Sequence, residues 1–159
     1  TLQFEVEHTR RNAILAWVLN PTQGGDPSIF AERTTMEWDM TTRGSFVFTR
    51  DLTLQWYLQL FLAKGKYENY QHYLGGETFT PVGPAYNNLN FNFNRLSLNS
   101  NLVLRWEYLP GSTVYLVWSQ ARSGEHGLYG TSFGDDFRDT FQLPLENVLL
   151  LKVSYWMSL

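Results

Sequence analysis

The sequence predicts an all-β protein: an antiparallel up-and-down meander of about six long strands, of the kind that forms part of a transmembrane outer-membrane β-barrel. Three observations predict it. Apolar residues fall at every second position over stretches of about ten residues, most plainly in Leu52-Thr-Leu54-Gln-Trp56-Tyr-Leu58-Gln-Leu60-Phe-Leu62. Side chains alternate across a strand, so one face of this segment is apolar throughout. The pattern runs near the roughly 9–11 residues that a tilted strand needs to cross a bilayer, about twice the usual soluble strand. Short and long connections then alternate along the chain, as periplasmic turns and outer loops do in such barrels.

The first strand covers about 2–9, with Leu2, Phe4 and Val6 opposed by Gln3, Glu5 and Glu7. Its continuation through Ile14 and Trp17 is left open, and residues 20–28 have the Pro, Gly and Asn chemistry of a loop. The second strand, about 33–48, aligns Met36, Trp38, Met40, Phe46 and Phe48 against Glu37, Asp39, Thr41 and Arg43. The third runs about 52–65, followed by a long loop at 66–89. The fourth, about 90–108, carries Leu102, Leu104 and Trp106 opposite Arg105 and Glu107. The fifth spans about 113–122, a second long loop 123–145, and the last strand about 146–158.

Residues paired across a hairpin share a face, so parity fixes the turns. Phe48 opposite Leu52 leaves a three-residue loop. Tyr108 opposite Val114 leaves five residues, with Pro110-Gly111 inside.

Two sets of residues follow. Leu54, Trp56, Leu58, Leu60, Leu102, Leu104, Trp106, Leu116, Trp118, Leu151, Val153 and Tyr155 are expected to face outer-membrane lipid. Glu37, Asp39, Arg43, Arg105, Glu107 and Lys152 are expected to face the lumen, either lining a pore or bracing the wall through opposite charges. Six strands enclose almost no interior, and single-chain bacterial barrels start at about eight. The remaining strands are expected from the same chain or from other copies, with residues 1–159 as the C-terminal portion of the barrel.

Composition narrows the classes. The net charge of −3 gives no basic footprint for nucleic acid. The absence of cysteine excludes disulfides and thiolate metal sites. No apolar run reaches the ~18 residues of a membrane-spanning helix, and no cofactor is expected. Aromatic residues, at 16%, suit interfacial girdles.

From about residue 30 onward the chain resembles a family of large bacterial outer-membrane proteins with a domain of unknown function. The resemblance rests on the runs from Leu54 to Tyr67, Asn101 to Gln120, Phe133 to Asp139 and Leu151 to Trp156, of which Leu104–Trp118 is the most specific. It implies a C-terminal barrel in the bacterial outer membrane, preceded by a carbohydrate-binding module of the family-9 type. That module is absent from these residues, so a glycan partner would be met elsewhere, and the family brings no catalytic residues.

Three local readings remain. Asp135, Asp136 and Asp139 are candidate ligands for a hard cation, against a structural clasp through Arg138. His126 with Asp135 or Asp136 is the candidate base pair of an outer-membrane hydrolase, although no nucleophile geometry accompanies it. Tyr67, Tyr70, Tyr73, Phe79 and Tyr86 in the 66–89 segment are a candidate aromatic platform, against loop self-packing. The competing fold is a soluble, lipocalin-like binder that buries the even face of Leu52–Leu62.

Overall fold

The computed structural model describes residues 1–20, 27–86, 88–125 and 129–157. Seven strands form one antiparallel sheet: β1 (Leu2–Leu19), β2 (Ile29–Val47), β3 (Leu52–Gly75), β4 (Thr78–Pro81), β5 (Phe93–Leu109), β6 (Ser112–Glu125) and β7 (Leu145–Ser154). The order is β1-β2-β3-β5-β6-β7, with β4 paired to the far end of β3. One α-helix, α1 (Phe133–Thr140), lies between β6 and β7. The sheet is not closed: β1 and β7 are its two edges.

Period-two alternation is carried in register from strand to strand. Phe46, Leu54, Leu104, Leu116 and Leu151 form one continuous row of direct partners. The neighbouring rows are Trp56, Leu102, Trp118 and Leu149, and Leu52, Trp106, Val114 and Val153. These rows make up what we call the apolar face. The opposite, polar face carries rows such as Thr53, Arg105, Tyr115 and Lys152, or Glu5, Thr41, Gln59, Asn99 and Glu146. Trp56 lies so flat over its partner Gly44 that a Cβ there would sit 2.4 Å from the indole. Phe46 stacks on the same indole at 5.2 Å.

The expected first hairpin matches the ladder. Phe46 pairs Leu54, and the Phe48 amide donates to the Leu52 carbonyl at 3.0 Å, leaving 49–51 as the loop. Thr49 Oγ1 accepts from the amides of Asp51 and Leu52 and holds that loop closed.

The second hairpin corrects the expectation. Leu109 pairs Ser112 across the two-residue turn Pro110-Gly111, and Tyr108 is bulged out between Glu107 and Leu109. The extra residue restores the parity that a two-residue turn would otherwise break. Trp106 and Val114 therefore still share a face. Gly111 takes φ 78°, a backbone conformation that side chains other than hydrogen resist.

Strand lengths are corrected in the same way. β1 runs on to Leu19 because a bulge at Asn12-Ala13, with Ala13 at φ 48°, switches its parity and brings Trp17 opposite Phe30. β3 runs to Gly75, and most of the expected 66–89 loop is its outer part plus the β4 hairpin. The bulge at Asn69 (φ 52°) breaks the alternation there and hides the strand. The 123–145 connection contains α1.

Replacing Gly111 with Ala forces a Cβ into a left-handed position and to within 3.1 Å of Trp156. The expected cost is about 1–2 kcal/mol, read as a lower denaturant midpoint, whereas Gly83→Ala, with open space around it, leaves the midpoint near wild type.

Candidate functional site

At the loop end of the sheet each face carries a cover. On the apolar face the cover is α1. Leu60, Leu62, Leu96, Leu98 and Leu143 form the buried cluster beneath it, with Trp38 and Met40 packed alongside. Leu60, expected to face lipid, is on the apolar face but is buried here at 5% exposure. Leu54, Trp56, Leu102 and Leu104 stay partly exposed, and Leu58, Trp106, Leu116, Trp118, Leu151, Val153 and Tyr155 are exposed. The row at Leu58 departs from the apolar pattern, since its partners are Thr42, Ser100, Gln120 and Asn147.

The helix is held by a buried ion pair. Lys64 on β3 reaches Asp136 Oδ2 at 2.9 Å and also donates to the Thr131 carbonyl. Asp136 Oδ1 accepts from Asn94 Nδ2 at 2.7 Å and from the Thr131 hydroxyl. A carboxylate 2% exposed is tolerable only with this many donors. Arg122 on β6 donates to the carbonyls of Phe141 and Leu143 and pins the helix exit.

The three candidate cation ligands therefore part company. Asp136 points into the sheet. Asp135 closes a capping box with Ser132 and pairs with Arg138 at 2.9 Å, while Asp139 lies 3.8 Å from Arg138. Among the described residues, no group of three or more His, Asp and Glu could hold a metal ion. The Arg138 clasp is what the geometry contains. The Ser132 hydroxyl and amide, with Arg138 behind them, hold the Asp135 carboxyl below the usual carboxylate range. His126, the proposed base, lies outside the described residues, and both of its expected partners are committed elsewhere.

On the polar face several of the charged residues are partnered locally. Arg11 approaches Glu37 at 3.7 Å, Gln59 donates twice to Asp39, and Arg43 donates to Gln3. Each of these spans two strands. Arg105 pairs with Glu107 on its own strand at 2.8 Å, and Glu107 in turn accepts from the Gly111 amide, so this pair braces a turn. Lys152 stands opposite Tyr115 in the same row as Arg105. Glu5, Glu7, Asp39 and Thr41 line a small open recess of about 150 Å³.

The aromatic residues of 66–89 do not form one platform. The Asn69 bulge sends Tyr70 and His72 to the polar face, where Phe91 lies 6.4 Å from both Tyr67 and Tyr70 and Tyr86 lies 5.2 Å from His72. Tyr73 and Phe79 meet Phe30 on the other face, at 5.6 and 5.7 Å. Sequence reasoning missed Lys64 and Asn94, which the helix needs; both are polar residues in one row of the apolar side, and that placement is the signal.

Fold and site together define an open, two-faced antiparallel sheet whose charged groups brace turns, strands and one clamped helix. The chain belongs to the family described as a domain of unknown function, DUF5916, whose model matches residues 1–159. No curated protein and no solved structure matches it.

Asp136→Ala leaves Lys64 buried without its partner and is expected to cost about 3–5 kcal/mol locally, seen as lost hydrogen-exchange protection over residues 133–140. Asp135 behaves differently with pH. Its carboxyl is more acidic folded than unfolded, so its contribution is complete above the ordinary Asp range, about pH 4. It is lost as pH falls through the lower folded value. Asp135→Asn should flatten the acid dependence of the same amides.

Proposed function

We propose that this chain is a section of the wall of a bacterial outer-membrane β-barrel, anchoring the protein in the membrane and offering its loop end for docking or passage. The observation that carries the reading is the exposed apolar face, whose row Phe46, Leu54, Leu104, Leu116 and Leu151 runs in register from β2 to β7, with apolar rows on either side of it from β3 to β7, backed by a polar face on the other side. Water solvates the second face well and the first poorly; lipid outside and a wet lumen inside suit both.

Dimensions support it. The strand from Leu52 to Leu60 spans about 26 Å, or about 20 Å of height at a tilt near 40°, comparable to the roughly 25 Å apolar band of such barrels. Phe46, Phe48, Trp106 and Tyr155 are exposed at the short-turn end, as a girdle at one interface would be. β3, with 24 residues, exceeds what crossing requires. Its outer half then projects beyond the bilayer on the long-loop side, with the short turns periplasmic.

An open sheet edge cannot face hydrocarbon. In this reading β1 and β7 pair with further strands, from a longer chain or from other copies. The resemblance to outer-membrane proteins that carry a carbohydrate-binding module supplies a candidate for what the barrel anchors. No catalytic step is assigned to these residues.

Leu116→Arg tests the reading, with Ser119→Arg as the polar-face comparison. The full protein carrying Leu116→Arg should assemble poorly into the outer membrane, by roughly 1–3 kcal/mol for an Arg between the interface and the midplane. Ser119→Arg should assemble normally. Recovery of the Leu116→Arg protein at wild-type levels in the outer-membrane fraction would contradict the lipid-facing assignment.

A further inference from the structure

The helix α1 is built inside out. A helix against water turns its apolar stripe to the core and its polar side to solvent. Here the side packed on the sheet is Asp136, 2% exposed, and Thr140, fully buried. Phe133, Phe137 and Phe141 are 38%, 44% and 49% exposed. At about 100° per residue these three rings fall within an arc of about 80°; Asp135 and Asp139 lie about 160° from its centre, and Arg138 about 100° from it. The rings touch in sequence, Phe133 to Phe137 at 6.4 Å and Phe137 to Phe141 at 5.2 Å.

The direction of the stripe is fixed by its contacts. Asp136 binds Lys64 and Asn94, which are direct partners in one row. Phe133 meets Trp38 at 5.3 Å, and Trp38 pairs Leu62, one row nearer the short turns. The Phe flank therefore looks down the apolar face toward Leu116, Trp118 and Leu149, and the charged flank looks away from them. The exposed stripe offers on the order of a few hundred Å² at most, against the roughly 1,000 Å² that a specific protein interface needs. A lipid surface needs no such area and no shape match. Rings below, charges above and a short helix lying across the strands match the geometry of an interfacial helix.

We propose that α1 is an interfacial anchor: Phe133, Phe137 and Phe141 seat in the headgroup–acyl boundary of the leaflet on the long-loop side and set the depth at which the sheet sits. The proposal rests on the membrane reading above and goes beyond it by assigning a depth and a device. The Lys64–Asp136 clamp is what makes the device rigid, because it holds the helix to the sheet by its polar side and leaves the rings for lipid. Asp135 and Arg138 remain on the water side, with side chains 46% and 68% exposed.

The chain has no cysteine of its own, so single labels are specific within it. The full protein is reconstituted in phosphatidylcholine vesicles with a fluorophore at Phe137→Cys, Leu116→Cys or Arg138→Cys. Lipids brominated near the headgroup end or near the chain end of the acyl group serve as quenchers. The expected result is loss of the 137 signal to shallow bromines, loss of the 116 signal to deeper ones, and loss of the 138 signal only to aqueous iodide. Quenching at 116 without quenching at 137 overturns the anchor and leaves the membrane reading standing. Absence of quenching at 116 removes the membrane reading, and the anchor with it. Phe133→Cys repeats the measurement should the 137 variant fail to assemble, and an unquenched label there overturns the anchor equally.

Discussion

Parity is the constraint on which the rest of the structure depends. A strand that slips by one residue moves every side chain to the wrong face. In this sheet the β3–β5 ladder runs without a single shift from Leu52–Trp106 to Gly65–Phe93. The other ladders carry irregularities at Asn12-Ala13 and between Trp17 and Leu19 in β1, at Asn69 and between Tyr73 and Gly75 in β3, and at Tyr108 in β5. Each of these lies outside the rows between Leu52 and Leu60, so those rows keep their faces across β2 to β7.

Two faces of such different character call for two environments, and at the loop end the molecule supplies a separate cover for each. Residues Tyr86 and Phe91 lie against the polar side through His72, Tyr67 and Tyr70. The helix α1 lies against the apolar side, where Lys64 and Asn94 interrupt the apolar pattern to receive it. Among the described residues the turn end has no such cover. There the apolar rows are left exposed, with aromatic rings packed along the strands, Phe46 on Trp56 and Trp106 beside Tyr108. A sheet that shelters its apolar face at one end and exposes it at the other has a boundary built into it, and that boundary falls at the row of Leu60, Leu98 and Arg122.

Much of this was legible in the residues, and the failures have physical causes. The even-position alternation of Leu52–Leu62 fixed the apolar face and the first hairpin, because no bulge intervenes there. The second hairpin was misjudged because sequence alone does not announce a bulge: Tyr108 looks like any other strand residue, yet skipping it lets Pro110-Gly111 close a two-residue turn. The outer half of β3 is not legible as a strand because Asn69 breaks the period just where Tyr, Asn and Gln replace Leu. The helix was missed although two signals were present. Ser132 precedes Asp135 by three residues, the spacing of a capping box, and the phenylalanines recur at every fourth position. The density of carboxylates drew attention to ligand chemistry instead, and Lys64, far away in sequence, gave no hint that it would claim Asp136.

The most direct measurement of the central claim is a spin-label scan along residues 52–62 of the full protein in bilayers, comparing accessibility to oxygen, which partitions into lipid, with that to a water-soluble paramagnetic complex. The account predicts a two-residue period: labels at 52, 54, 56 and 58 meet oxygen, labels at 53, 55, 57 and 59 meet the aqueous complex, and labels at 60 and 62 are shielded from both by α1. Even positions that meet only the aqueous complex, or that are shielded from both reagents along the whole segment, would contradict it.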